Sequence, residues 1–377
     1  MGFNSLPISD PKRDRMTAPL PRSPRTPGPR VVTIREAAED WSQFDEIIDV
    51  RTPLEWEADR IPGATNAPVL SNEERVIVGT RYAASAFEAK KIGAALVAKN
   101  IAVALESQFS DRPRDWRPLV YCWRGGNRSN ALATVMHRIG WKTAVLEGGY
   151  TAYRRFLIED LEQQVRRLHY VVICGVTGSG KTEFLRQLAQ QGHQVIDLEG
   201  LAHHRGSLLG DEPQGDQPSQ KTFESLLWKT LTRMTPDQPV YLESESKKIG
   251  RLQVPDALMT AMREAPCIEL TPTLEDRVTF LCQDYQHFFH APEQLKSQLA
   301  KLKSLVGNET LTRWETMIDQ TDWKGLVSAL LQEHYDPTYY RSMRRNYVRY
   351  TAAKRLQAHP ALAKDQRIDP SMLQVND

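Results

Sequence analysis

The stretch "YVVICGVTGSGKTEFLRQLAQQG", residues 170–192, constrains the fold more than any other part of the chain. An apolar run reads as a buried strand, a glycine-bearing loop follows, and then comes a helical pattern that stops at Gly192. Gly175, Gly178, Gly180, Lys181 and Thr182 fit G-x-x-x-x-G-K-[ST], with Ser179 inside the pattern. Between a strand and a helix this pattern has a mechanism. The glycines let backbone N–H groups approach phosphate oxygens, Lys181 supplies a point charge, and Thr182 is placed to ligate Mg²⁺. Such a loop belongs to a parallel α/β sheet, in which "QVIDLEG" and "PVYLESES" read as later strands. From about residue 273 the text turns helical, and Leu295, Leu299, Leu302 and Val306 keep one face apolar.

A second loop stands upstream, in "VYCWRGGNRSN", residues 120–130. Cys122 ends a strand, and a helix ended by Gly140 follows. Backbone N–H groups of the loop and the helix N-terminus both lower a thiol pKa there, and the same groups cradle an anion. This places a nucleophilic sulfur at the lip of an oxyanion cradle. The cradle comprises Trp123, Arg124, Gly125, Gly126, Asn127 and Arg128, with the two arginines adding positive charge. Around this loop "VVTI", "EIIDV", "PLVYC" and "TAVLEGG" read as strands, and one long helical region spans roughly 74–108.

The chain has 377 residues, which suits two domains. The expected division is a disordered Pro- and Arg-rich arm over 1–30, a first α/β domain over 31–160, and a phosphate-loop domain with a helical C-terminal region over 165–377. None of the four cysteines forms a C-x-x-C pair, so neither a zinc site nor a disulfide framework is expected. No apolar run approaches the roughly 20 residues of a membrane span, and no apolar signal core opens the chain. A cytoplasmic protein without a membrane partner is the expectation. The net charge of +2 does not by itself imply a nucleic-acid partner, so local clustering has to carry that argument.

The segment "DVRTPLEWEADRIPGATNAP", then Cys122, then "LEGGYTAYRR" resembles the rhodanese domain. In that family the strand-end cysteine carries sulfur or selenium as a persulfide or perselenide. Asp49 and Arg51 match the motif that opens the family's sheet, where structural roles are expected. The same letters permit another reading. Cys122, Arg128 and Ser129 fit the Cys-x5-Arg-Ser pattern of cysteine phosphatases, although Tyr121 stands where many of those have His.

"YCWRGGNRS", "GVTGSGKT", "LEGLAHHRGS", "QPSQKTFE" and "ESESKKIG", in this order, resemble the tRNA 2-selenouridine synthase family. The resemblance implies a rhodanese-like α/β domain joined to a P-loop NTPase-like α/β domain. It also implies a transferase acting on tRNA with 2-thiouridine at wobble position 34. Sulfur would be replaced by selenium from selenophosphate, by way of S-geranylation with geranyl diphosphate. Both anions are substrates, with no prosthetic group and with Mg²⁺ as an optional addition. A selenophosphate-producing enzyme is an implied partner. Cys122 then belongs to selenium transfer and the Lys181 loop to the geranyl donor, with ATP or a tRNA phosphate as other occupants. Glu243, Glu245 and Arg205 are candidates for a second site beside the phosphates, together with His203 and His204.

Near the C-terminus "DPTYYRSMRRNYVRYTAAKR" interleaves arginines with tyrosines. Arg341, Arg345 and Arg349 fall at i, i+4 and i+8 of a helix, and Tyr340, Tyr347 and Tyr350 are candidates for stacking on anticodon bases. The alternative is a surface helix whose tyrosines pack inward. Two other functions stay open at this level: a plain sulfurtransferase fused to an ATPase, and a cysteine phosphatase joined to a kinase-like module.

Overall fold

The computed structural model describes residues 28–204, 216–357, 359–360 and 368–374. The arm expected over 1–30 lies outside the described residues as far as 27, and Arg30 already belongs to a strand. Arg205 also lies outside them.

The first unit is a five-stranded sheet of β1 (Arg30–Val32), β2 (Glu46–Asp49), β3 (Thr65–Asn66), β4 (Pro118–Tyr121) and β5 (Ala144–Leu146). Its order is β1-β5-β4-β2-β3, and every pairing is parallel. All four residues of β4 are buried, which is why "PLVY" shows no polar alternation. The helical region expected over roughly 74–108 is made of two helices, Asn72–Ala84 and Ala86–Ser107. Ser85 between them is extended at φ −157°, and its hydroxyl accepts from the N–H of Glu88. A serine that can cap costs a helix little to restart, so apolar patterning on either side conceals the break.

The second unit holds β6 (Tyr170–Cys174), β7 (Gln194–Ile196) and β8 (Val240–Glu243). It continues through a short antiparallel hairpin, β9 (Lys248–Ile249) and β10 (Leu252–Gln253), to β11 (Cys267–Leu270) and β12 (Lys354–Leu356). The main sheet runs β12-β11-β6-β8-β7, all parallel, with β6 in the centre. The phosphate loop therefore leaves the carboxyl end of the middle strand, where α/β sheets bind ligands. Between β11 and β12 lies the helical region. Leu295, Leu299 and Leu302 are buried there with Val306 packed against them, although the helix ends at Ala300 and restarts at Lys303.

The two sheets are not independent bodies. The helix Gly149–Arg166, which closes the first unit, runs up to the start of the second and packs on Gln220–Thr232 and Asp256–Glu264. One apolar core extends without interruption from Val32 to Tyr350. Trp228 sits edge-on to Tyr153 and Phe156 across this junction and donates its indole N–H to Asp160 at 2.8 Å. Asp59, almost fully buried, accepts from Ser225 at 2.9 Å on one side and from Tyr150 at 2.7 Å on the other. Tyr150 in turn donates its backbone N–H to the carbonyl of Cys122 at 2.8 Å, so the junction reaches the cysteine loop through two residues.

Candidate active site

Cys122 follows β4 directly, and Gly126 caps the helix Asn127–Ile139 without any side-chain cap bond. The first N–H groups of that helix are consequently free to point at the sulfur. Cys122 Sγ accepts from the Gly126 N–H at 3.3 Å and from the Ser129 hydroxyl at 3.3 Å. Burial works against the thiolate, but the Ser129 hydroxyl and then the N–H groups of Ser129, Gly126 and Arg124 outweigh it, so the thiol sits below its ordinary pKa.

The sulfur does not stand at the lip of the loop. Cys122 is only 4% exposed and packs with Ile48, Val50 and Leu132, so it forms the floor of the cradle. Trp123, Arg124 and Asn127 make the exposed rim, and Gly125 and Gly126 are half-buried between. Gly149 seals the back of the loop. Its φ is +54°, and a Cβ there would come within 2.2 Å of the Cys122 carbonyl oxygen, so "LEGGY" tolerates no side chain at this position.

Arg128 does not add free charge to the cradle as expected. It is half-buried and spent in a two-pronged ion pair with Glu55, at 2.8 and 3.3 Å. Glu55 also caps Thr52, so Arg128 ties the cysteine loop to the helix Pro53–Ala58. Asp49 and Arg51 form a fully buried pair at 2.6 Å, and the Arg51 guanidinium lies 4.0 Å from the Tyr150 ring centroid. Both are structural supports beneath the loop.

The phosphate loop is built in the same way. Gly175, Gly178 and Gly180 all have positive φ, Ser179 is buried, and Gly180 caps the helix Lys181–Gln190 with no side-chain bond. The start of that helix presents N–H groups to an anion. Lys181 Nζ donates to the Gly175 carbonyl at 2.9 Å, and Thr182 Oγ1 lies 3.5 Å from Glu199 Oε2. Glu243 is fully buried at the end of β8 and accepts from the Glu199 N–H at 3.1 Å, while its other carboxylate oxygen has no hydrogen-bond partner among the described residues. Burial, with the charges of Glu199 and Glu245 next, pushes the Glu243 carboxyl well up. Burial and then Glu199 push the half-buried Glu245 up to about 8, with Lys181 pulling the other way. Lys181, Thr182, Glu199, Glu243 and Glu245 thus form one cluster. His203 is exposed at the end of the helix Leu198–Ala202, and His204 is buried.

Sequence patterning missed three elements of this site. Glu199 follows β7 in "LEGLAHHRGS", and a carboxylate in the loop after the second strand was the available signal. Tyr339 accepts the Gly175 N–H at 2.7 Å and shares a hydrogen bond with Ser244, and no local pattern announces that contact across 164 residues. Arg277, buried, donates to the Thr177 carbonyl at 2.9 Å and grips Asp336 through both terminal nitrogens at 2.8 and 2.6 Å.

The C-terminal arginine stripe needs correction. Its helix, Asp336–Asn346, stops before Arg349, which is exposed but off the helix. Tyr347 is 4% exposed and donates to the Glu245 carbonyl at 2.8 Å, and Tyr350 is buried against Glu269. Packing beside Glu245 for the one and against Glu269 for the other takes both rings away from any stacking surface. Tyr340, Arg341 and Arg345 remain exposed, joined by Arg344. Among the described residues no helix is long and apolar enough to cross a membrane.

The polarised thiol has a direct readout. Peptide-resolved alkylation by iodoacetamide, followed over roughly pH 6 to 10, will show a lower inflection for Cys122 than for Cys282, whose thiol burial pushes up. Ser129→Ala will raise the Cys122 inflection. Coincident curves for the two cysteines would remove the basis for an activated sulfur.

Comparison with known proteins places both halves. The rhodanese-like domain matches residues 33–156, and the tRNA 2-selenouridine synthase AAA domain matches residues 168–367. The tRNA 2-selenouridine synthase of Shewanella pealeana is 33% identical over 326 residues, covering 78% of this chain and 87% of that protein. That of Aeromonas salmonicida is also 33% identical, covering 78% and 86%. With a sulfur cradle in a rhodanese-like unit, a phosphate loop in the second and relatives aligned across both, the chain belongs to the tRNA 2-selenouridine synthase family.

Proposed function

We propose that this protein converts 2-thiouridine at wobble position 34 of tRNA into 2-selenouridine, in two half-reactions served by its two anion loops. In the first, the thione sulfur attacks C1 of geranyl diphosphate, the C–O bond breaks, and diphosphate leaves. The phosphate loop with Lys181 and Thr182 holds that diphosphate. In the second, selenium of selenophosphate attacks C2 of the base and geranylthiol leaves. Selenium in selenophosphate is already at the selenide level, so the exchange needs no oxidant. The P–Se bond then breaks as the phosphoryl group passes to the Cys122 thiolate, and water releases phosphate. A perselenide on Cys122, as rhodanese chemistry implies, would require an oxidant at this point.

The observation that carries this reading is the Cys122 sulfur ringed by N–H and O–H donors, in one continuous body with a phosphate loop. A lowered thiol pKa suits a nucleophile, and converging N–H groups suit a tetrahedral oxyanion. The donor set fits Mg²⁺ in part. Thr182 and Glu199 would hold it, and it would neutralise diphosphate charge, but among the described residues no three His, Cys, Asp or Glu side chains are placed to ligate a metal ion together. Arg341, Arg344 and Arg345, with Tyr340 beside them, are the exposed set offered to tRNA phosphates.

The test is mass spectrometry of wobble nucleosides from cells with and without the gene. Loss of both 2-selenouridine and S-geranyl-2-thiouridine on deletion is expected. Unchanged levels of both would turn the reading toward a sulfurtransferase or a phosphatase. Reversing Arg341, Arg344 and Arg345 to glutamate will weaken tRNA binding and flatten its salt dependence by up to three counterion units, roughly 0.9 per lost phosphate contact. An unchanged slope would exclude this surface.

A further inference from the structure

A cavity opens beside the phosphate loop, and its chemistry differs from that of the loop. Thr177 of the loop stands on its rim, and its walls are Leu281, Phe288, Leu330, Leu331 and Tyr335. The helix Leu274–Asp284 supplies Leu281, which lies against Gly178 so closely that a Cβ on that glycine would meet it at 2.8 Å. Leu331 and Tyr335 come from a π-helical turn, Leu331–Tyr335, set between the helices Trp323–Leu330 and Asp336–Asn346. Such turns cost helix stability and concentrate at functional sites. The buried Arg277 fixes the assembly to the loop, because it bonds the Thr177 carbonyl and the Asp336 carboxylate together.

We propose that this cavity receives the hydrocarbon tail of the phosphate ester whose head occupies the phosphate loop; the proposal rests on the geranyl diphosphate reading above and names the tail's binding site. Two features of the cavity favour an isoprenoid over a nucleotide. The wall is leucine and aromatic carbon, so the edge of a base would lose its hydrogen bonds to water and find almost none in return. The cavity also starts at the loop itself, so head and tail of one ligand are served without a linker of ribose length. Its size limits the tail. The enclosed volume is about 60 Å³. An apolar cavity of about 150 Å³ takes six-carbon benzene, so this one holds the end of one five-carbon isoprene unit and no more. The tip of a ten-carbon tail enters it, with the rest of the tail lying across the Thr177 rim. A fifteen-carbon tail exceeds that room by a further unit, and Phe288 is part of the wall it meets.

Direct binding calorimetry on the full chain tests this with inorganic pyrophosphate, ATP, and the five-, ten- and fifteen-carbon isoprenoid diphosphates. Wild type is expected to bind the ten-carbon diphosphate at least tenfold more tightly than pyrophosphate or the fifteen-carbon one. Leu330→Trp, filling the cavity, will remove that gain while leaving pyrophosphate affinity unchanged. Phe288→Ala, enlarging it, will move the preference toward fifteen carbons, and it decides the matter should the tryptophan variant fail to fold by thermal melt. A folded variant that keeps the wild-type chain-length preference overturns the cavity assignment and leaves the donor reading intact. If wild type binds the ten-carbon diphosphate no better than pyrophosphate, the donor reading itself fails.

Discussion

Replacing Cys122 by serine will abolish 2-selenouridine while S-geranyl-2-thiouridine persists or accumulates. The substitution exchanges one atom in a site built around the charge on that atom. The Gly126 N–H and the Ser129 hydroxyl each lie 3.3 Å from the sulfur and stabilise a thiolate. A serine hydroxyl in the same place stays protonated at neutral pH, and among the described residues no histidine or carboxylate is hydrogen-bonded to Sγ to take its proton. The loss expected is roughly a thousandfold or more, about 4 kcal/mol of barrier. Folding is nearly indifferent, since serine is no larger and still meets the same donors. A melting temperature within a few degrees of wild type then separates a chemical defect from a structural one. Selenouridine formed at a substantial rate by a folded Cys122→Ser protein would remove Cys122 from the reaction. Loss of the geranylated nucleoside in the same variant would show that the two loops do not divide the work.

Those two loops were legible in the sequence because each is a local device. A buried strand, glycines at fixed offsets and a helix start lie within about a dozen residues, and local spacing alone specifies where the N–H groups converge. What surrounds the loops was not legible, because it is made by distant chain segments. Arg128 has the spacing of an anion ligand, yet Glu55, 73 residues away, neutralises it. Tyr347 and Tyr350 share a stretch with exposed arginines, and alternation there fits a binding surface and a buried face equally. Contacts with Glu245 and Glu269, across 102 and 81 residues, decide for burial. Strand β12 went unseen for a similar reason. "KRL" carries no strand signature, and its place at the sheet edge comes from parallel pairing with β11. The break at Ser85 shows the converse limit, where a residue too good at capping divides a pattern that periodicity alone would join.

Lys181→Ala is expected to cost roughly a hundred- to a thousandfold in geranylation, the range for removing one charge-stabilising donor from a site where charge develops. Lys181 stands at the first helical position after Gly180, where its ammonium is the loop's own cation and bonds the Gly175 carbonyl. Alanine suits a helix start, so the backbone cradle should survive. The ammonium also opposes the upward push on the Glu245 carboxyl, so its removal leaves that group still more firmly protonated at neutral pH and adds no new buried charge. Selenation will fall in parallel, because in this scheme selenium displaces geranylthiol and needs the geranylated base first. The decisive arm supplies tRNA already carrying S-geranyl-2-thiouridine. Lys181→Ala should then selenate it at close to the wild-type rate, while Cys122→Ser should not. Intact geranylation with selenation lost would instead place the phosphate loop in the selenium step, and failure on both substrates would mean that one phosphate loop serves both half-reactions.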